Sequence, residues 1–391
     1  VETILPLVFW ASLILVVYTY IGYGLLLFFL VRIKKIFNPR KTKGKEHPLP
    51  EVTVLVAAYN EAGFIEEKIK NCLEFDYPRE KLHFLFVTDG SDDGTPELVK
   101  KYPQIQLLHQ PERKGKIAAT NRAMPYVKTP VVVFTDANTN VNREAIKNMV
   151  RHYADEKVGV VSGEKRIAMK QKDTASGAGE GIYWKYESTL KKWDSELYSV
   201  VGAAGELFSI RTALFNPVPQ DTILEDFYMT LSIASRGYRI VYEPDAYAVE
   251  GPSASVREEL KRKIRIAAGG IQAIIRLSPL LNPFRHGILS FQYVSHRVLR
   301  WTLTPLALPL LFISNLLLAM NGPGFFQLLL TAQILFYLLA FIGFVLEQKK
   351  IKWKAFFIPY YFFIMNYAVY MGFIRAIRGS QSVMWERAKR G

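Results

Sequence analysis

Val131-Val132-Val133-Phe134-Thr135-Asp136-Ala137-Asn138 decides how this chain is read. Four consecutive apolar residues, three of them β-branched, describe a strand covered on both faces, as in the middle of a parallel sheet. A carboxylate and an amide follow at its carboxyl end, where such sheets bind ligands. The same grammar repeats outward from it. Val52-Thr53-Val54-Leu55-Val56 is another β-branched run, ending in Ala57-Ala58-Tyr59-Asn60-Glu61. A helical stretch then reaches to about Phe75, with Ile65, Ile69 and Leu73 spaced by four. Strands over 82–87 and 105–109 alternate with helices near 95–101 and 116–126. The alternation predicts an α/β domain, doubly wound, with a mostly parallel sheet. Its polar clusters, Tyr59-Asn60-Glu61, Asp89 to Thr95 and Asp136-Ala137-Asn138, all fall at strand ends.

The flanks are of a different kind. The chain has 391 residues and a net charge of +15, yet residues 4–31, 301–346 and 355–374 contain no Asp, Glu, Lys or Arg. A bilayer core takes about 20 apolar helical residues to cross. Residues 4–31 suffice for one span and exceed a signal-peptide core. Residues 301–346 suffice for two, broken at Asn321-Gly322-Pro323-Gly324. The segment 355–374 carries Pro359, Asn366 and Gly372, so it either crosses or is re-entrant.

Arg32, Lys34, Lys35, Arg40, Lys41, Lys43 and Lys45 follow the first span, which places that side and the domain in the cytoplasm. Lys349, Lys350, Lys352 and Lys354 agree with two crossings over 301–346. Arg375, Arg378, Arg387, Lys389 and Arg390 also call for the cytoplasm, whereas a full crossing at 355–374 would put them outside.

The expected organisation is therefore a transmembrane helix (1–31), a basic linker (32–50), the α/β domain (51–254), amphipathic interface helices (255–300), a transmembrane region (301–374) and a basic tail (375–391). Over 255–300 nine basic residues face two acidic ones, and Ile264, Ala268, Ile271 and Ile275 share a helical face. That pattern suits a helix lying on membrane lipids at the cytoplasmic leaflet; a solvated charged helix on the domain is the alternative. Residues 46–254 hold 25 Lys and Arg against 30 Asp and Glu, so the basic excess sits near the spans. No nucleic-acid partner is expected, and the high pI is an orientation signal. Spans without ionisable residues also make a poor ion pathway. The one cysteine, Cys72, excludes an intramolecular disulfide.

Several clusters could carry chemistry. Asp136 and Asn138 offer a carboxylate and an amide oxygen, suited to a hard divalent cation; helix N-cap or turn is the ordinary alternative. Arg113, Lys114 and Lys116 surround Gly115 just before a helix, where cations meet a pyrophosphate well. Glu225 and Asp226 open another helix, either as dipole-favoured carboxylates or with one acting as general base. There is no G-x-S-x-G, Walker or G-x-G-x-x-G sequence, and the histidines lack metal-ligand spacing.

Taken in order, Tyr59-Asn60-Glu61, Asp89-Gly90-Ser91, Gly115-Lys116 with Asn121, Asp136-Ala137-Asn138 and Glu225-Asp226 resemble the motifs of inverting family 2 glycosyltransferases of GT-A fold. With its spans, the chain looks like the membrane-embedded branch related to cellulose, chitin, hyaluronan and poly-N-acetylglucosamine synthases. The resemblance covers about 50–300, and the tail Gln381 to Arg387 is also similar to bacterial members.

It implies a nucleotide-sugar donor, expected to be UDP-linked, with Asp89 at the uracil and Ala58, Tyr59 and Glu61 around the base. Lys116 and Arg265 would meet the diphosphate. Asp136, with Asn138 in the second position of the family's D-x-D, would hold Mg²⁺ or Mn²⁺. Asp226 would be the catalytic base, and Glu225 with Gly202, Ala203 and Gly205 would line the acceptor site. The acceptor would be a polysaccharide or a lipid-linked sugar; an accessory subunit is left open.

Two departures stand out. Asn138 brings no charge, and the Q-x-x-R-W motif is reduced to Arg262-Lys263-Ile264-Arg265-Ile266. Ile266 cannot stack on a sugar, which leaves Trp184, Trp193 or Trp301 for that role.

Overall fold

The computed structural model describes residues 3–38, 48–168, 175–251, 255–349 and 353–383. Arg40, Lys41, Lys43, Lys45, Lys350, Lys352 and the tail from Met384 onward lie outside the described residues.

Helix α1 (Ile4–Phe37) is the first apolar segment. The domain then runs β1 (Val52–Ala58), α2 (Ile65–Leu73), β2 (Leu82–Asp89), α3 (Thr95–Lys100), β3 (Ile105–Gln110), α4 (Lys116–Ala123) and β4 (Val131–Asp136). It continues with β5 (Asn140–Val141), α5 (Ala145–Val150), β6 (Val158–Ile167), α6 (Ala175–Leu197), β7 (Leu207–Arg211), α7 (Glu225–Ala234) and β8 (Arg239–Glu250). Helix α8 (Val256–Arg276) leads through short helical turns to α9 (Leu303–Asn321), α10 (Gly324–Gln348) and α11 (Lys354–Arg378).

The strands form one sheet in the order β3-β2-β1-β4-β7-β6-β8-β5. Strand β4 behaves as its letters require. Val132 and Phe134 enter the core on one face of the sheet, Val131 and Val133 the core on the other. Alternate side chains point to opposite faces, so a strand with two covered faces has to be apolar throughout. Because β1 pairs in parallel with both β2 and β4, Ala58, Asp89 and Asp136 emerge on one edge of the sheet.

The sheet is less parallel than expected. β7 runs antiparallel to β4 and β6, and β5 antiparallel to β8, while β6 and β8 are parallel. A strand buried on both faces has the same apolar composition in either direction, so nothing in its letters records the reversal.

The second difference concerns α8. It is helical and amphipathic, but its apolar face meets protein instead of a lipid leaflet. Ile264, Ala268 and Ile271 are buried, and only Ile275 of the four is exposed. Part of the cover is α11. Val256 clusters with Phe357, Tyr360 and Tyr361, and Gly372 lies so close to Ala267 that a Cβ there would come within 2.5 Å of the alanine methyl. Helix α11 thus runs alongside α8, with both of its ends against an element that itself rests on the domain. It is a continuous helix with Pro359 inside it, and it also packs on α10, where Phe336 and Phe344 meet Phe362 and Tyr360.

The break between α9 and α10 falls at Gly322-Pro323, as the turn signal predicts. Among the described residues four helices, α1, α9, α10 and α11, are long and apolar enough to cross a membrane.

Candidate active site

The parallel strands deliver their carboxyl ends to one place, and each end is held by a local device. Asn60 adopts a left-handed φ of 52° just after β1, a conformation Asn tolerates because its short amide bonds locally. Its Nδ2 donates to Asp92 Oδ1 at 2.8 Å, and the Asp92 N–H donates back to Asn60 Oδ1 at 3.0 Å. The Glu61 N–H donates to Thr95 Oγ1 at 2.9 Å. Ala58 is buried at the end of β1, and the Tyr59 ring carries the Arg113 guanidinium 3.8 Å from its centre.

Asp89, buried at the end of β2, accepts the Lys114 and Gly115 N–H groups on Oδ2 at 2.8 and 2.6 Å. It thereby pins the loop that opens α4. Its Oδ1 is buried and accepts no hydrogen bond. Gly115, with φ of +94°, turns the chain into α4, so Lys116 stands on the first position of that helix.

Lys116 Nζ donates to Asp136 Oδ1 at 2.8 Å and lies 3.0 Å from Glu225 Oε1. Burial works against its charge, but Asp136 and Glu225 outweigh it and hold the ammonium well above the usual lysine range. Burial likewise opposes ionisation of Glu225, and Lys116 and Arg265 hold its carboxyl below the ordinary range. Asp226 differs: burial, reinforced by the Glu225 charge, pushes it up to about 7. Two adjacent carboxylates have thus been driven apart, one kept ionised and the other poised near neutrality, the pattern of an assigned acid–base pair.

Opposite Asp226 lies the loop from Gly202 to Glu206. A Cβ on Gly205 would sit 2.9 Å from Asp226 Oδ2, and one on Gly202, whose φ is +85°, would strike the Phe227 ring. The loop is small-residued because backbone must pass against the carboxylate.

Lys116, Asp136, Gly202, Ala203, Gly205, Glu225, Asp226 and Arg265 line one cavity of about 540 Å³. Ala58, Tyr59, Glu61, Asp89 and Asn138 belong to the adjoining strand ends and do not line it. Of the three tryptophans, Trp184 and Trp301 face the cavity. Trp193 packs edge-on against Phe28, centroids 5.5 Å apart.

Two supporting groups carried no signal in the letters. Lys68 is fully buried on α2 and donates to Thr135 Oγ1 and the Thr139 carbonyl, both at 2.9 Å, bracketing the Asp136-Ala137-Asn138 turn. Lys165 donates to Glu206 Oε1 at 2.6 Å and also pairs with Glu250, steadying the loop that faces Asp226. A lysine in a strand or helix looks the same whether it is solvated or buried, so only packing reveals these two.

The comparisons bear on the family and the fold. Residues 53–217 match Glycosyl transferase family 2. The chain is 28% identical over 261 residues to a poly-beta-1,6-N-acetyl-D-glucosamine synthase of Staphylococcus aureus, a match spanning 65% of this chain and 62% of that synthase. It is also 28% identical over 291 residues to a beta-monoglucosyldiacylglycerol synthase of Nostoc, covering 70% of this chain and 59% of that protein. A mannosyltransferase of Pyrobaculum calidifontis, solved with GDP-Man and Mn²⁺, superposes over 95% of this chain and 99% of its own with a TM-score of 0.72 and 25% identity. Residues 53–217 thus match a family 2 glycosyltransferase domain, in a fold of GT-A architecture flanked by helices long and apolar enough to cross a membrane.

Proposed function

We propose that the protein is an inverting, metal-dependent glycosyltransferase that moves a sugar from a nucleotide donor to an acceptor held at the cytoplasmic membrane. The observation that carries the reading is Asp226, raised to about 7 and pressed against Gly205 in the same cavity as Lys116 and Asp136. A base near the working pH is at its most effective. Asp226 takes the proton of the acceptor hydroxyl as that oxygen attacks the anomeric carbon. The bond from that carbon to the donor diphosphate breaks on the opposite face, and the configuration inverts. Lys116 and Arg265 meet the charge that accumulates on the leaving diphosphate.

A divalent cation fits the residues present. Asp136 supplies a carboxylate, and Asn138 Oδ1 is buried without a hydrogen-bond partner, an oxygen in want of a ligand. No group of three or more His, Cys, Asp or Glu that could hold a metal occurs among the described residues, so donor oxygens and water would complete the shell. When bound, Mg²⁺ or Mn²⁺ would neutralise negative charge on the diphosphate.

The donor is expected to be a UDP-sugar, as the resemblance of the motifs to family 2 glycosyltransferases implies. GDP-mannose belongs in the same test because the Pyrobaculum enzyme was solved with it. For the acceptor the geometry favours a lipid-linked sugar: the cavity runs on from Asp226 to Tyr20 of α1 and to Phe362 and Asn366 of α11. A polysaccharide chain is the second reading, supported by likeness to the staphylococcal synthase. Trp184 replaces the missing aromatic of the degenerate Q-x-x-R-W stretch as the platform for an acceptor sugar.

The test is purified protein in nanodiscs with labelled UDP-sugars and GDP-mannose, with Mn²⁺ or with chelator. Nucleotide release should require metal. Asp226→Asn should lower transfer by about 10²–10⁴-fold with nucleotide affinity retained; full turnover in that variant would remove Asp226 as the base. Sizing the product separates a polymer ladder from a single transfer.

A further inference from the structure

Beyond Asp226 the cavity changes character. Its lining includes Tyr20, Phe362, Met365 and Val369 of α1 and α11, which are apolar over most of their surface. It also includes the cations Lys191 from α6, Lys263 from α8, and Arg297 and Arg300 from the segment before α9, with the carboxylates Glu187 and Glu206.

Most of these cations have carboxylates. Arg297 and Arg300 both pair with the buried Glu187, and Lys263 lies 3.6 Å from Glu259. Lys191 does not. It is 4% exposed, it lines the cavity, and among the described residues its ammonium makes no hydrogen bond or ion pair. Its recorded neighbour is the Trp184 ring, 5.6 Å from Nζ, and Lys263 Nζ lies 5.4 Å from the same ring. The side chain is buried while its ammonium opens on the cavity, and an ammonium with so little access to water favours an anion beside it. With Lys165 Nζ at 5.3 Å, itself paired with Glu206 and Glu250, three ammonium groups converge on one ring; an anion is the complementary ligand, and the apolar lining residues ask for hydrocarbon.

We propose that this half of the cavity binds an amphiphile with a phosphate or diphosphate head, and that this is the acceptor. The phosphate rests on Lys191 with Lys263 and Arg300 beside it. The hydrocarbon lies between α1 and α11, and the sugar carried on the phosphate reaches toward Asp226. The assignment rests on the glycosyltransferase reading, and it narrows the acceptor from any membrane-held sugar to an anionic, lipid-linked one.

Equilibrium titration of the full chain in nanodiscs tests it, with dodecyl phosphate, dodecanol and inorganic phosphate as the three probes. Dodecyl phosphate should bind at least tenfold more tightly than either of the others. Equal binding of dodecanol would show an apolar groove without an anion site, and equal binding of inorganic phosphate a site for free anions; either overturns the proposal. Lys191→Gln should weaken dodecyl phosphate by roughly tenfold or more, the worth of a charged hydrogen bond. Lys191→Arg should restore most of it, and both variants should keep the wild-type melting temperature. An unchanged affinity in Lys191→Gln also overturns it. A parallel titration with UDP and GDP in Mn²⁺ separates the two levels of argument. If neither nucleotide binds, the glycosyltransferase reading fails. If a nucleotide binds and the alkyl phosphate shows no preference, only the acceptor assignment fails.

Discussion

Asp226 and Glu225 are neighbours in sequence with opposite electrostatic fates, and the cause is that Lys116 and Arg265 lie on the Glu225 side. Lys116 stands 3.0 Å from Glu225 and keeps it ionised; Asp226 feels burial and the Glu225 charge first. Two consequences follow from the sign of that shift. Activity requires the ionised base, so kcat/KM should rise with pH through about 7 and level off above it; a flat profile from pH 5 to 9 would contradict the assignment. The folded carboxyl also holds its proton to a higher pH than an unfolded aspartate, whose pKa is about 3.9. Its contribution to stability is therefore present below pH about 4 and is lost as pH rises through about 7. Asp226→Asn should accordingly melt at a higher temperature than wild type at pH 8 and show no such gain at pH 4, as thermal denaturation at the two pH values will show. A residue under selection for stability alone would behave in the opposite way.

At the scale of elements, α11 is the informative case. By hydropathy it is a fourth span, yet it lies along α8, and Gly372 allows the two backbones to close on each other near Ala267 and Ala268. Were α11 to stay on the domain's side, α1, α9 and α10 would make three crossings, and Arg375 and Arg378 would lie where their charge calls for. A fourth crossing would part them from that side. Cys72 is fully buried, so an added cysteine is a clean reporter. Ser380→Cys should react with an impermeant maleimide from the same face as Lys157→Cys in the domain, and Gly324→Cys, at the α9–α10 turn, from the other face. Labelling of Ser380→Cys from the Gly324 side would restore the fourth crossing.

Across the whole molecule, the domain is tied to its apolar frame by buried polar contacts as well as by packing. Asp194 on α6 is fully buried and accepts from Tyr23 of α1, from Gln292 Nε2 at 3.0 Å, and contacts His296 Nδ1 at 2.6 Å. One carboxylate thus joins a helix of the frame, a helix of the domain and the segment entering α9. Removing it leaves the Tyr23 hydroxyl and His296 Nδ1 without this partner, while Gln292 Nε2 keeps the carbonyl of residue 194 at 2.9 Å. Asp194→Ala should cost about 3–5 kcal/mol, the usual penalty for breaking a buried polar cluster from one side. The expected readout is a lower melting temperature in detergent with nucleotide affinity nearly kept; an unchanged melting temperature would mean that packing alone couples the two parts.

What the sequence determined by itself was considerable. The apolar run at Val131–Phe134 implied a strand with two covered faces, the charge-free stretches implied the apolar frame, and the polar residues at strand ends marked the edge where Asp89 and Asp136 emerge. Each of these is a local property, because hydropathy and turn chemistry are written residue by residue. Tertiary structure decided what those residues meet. It reversed β7 and covered α8 with α11. It brought Lys116 to Glu225 across about a hundred residues of chain, and left Lys191 inside a cavity that apolar residues of α1 and α11 also line. Hydrophobicity specifies that a face must be buried without specifying whether lipid or protein buries it, and a lysine is the same letter in water, in an ion pair or alone in a pocket. Those distinctions are properties of neighbours, and only the folded chain supplies neighbours.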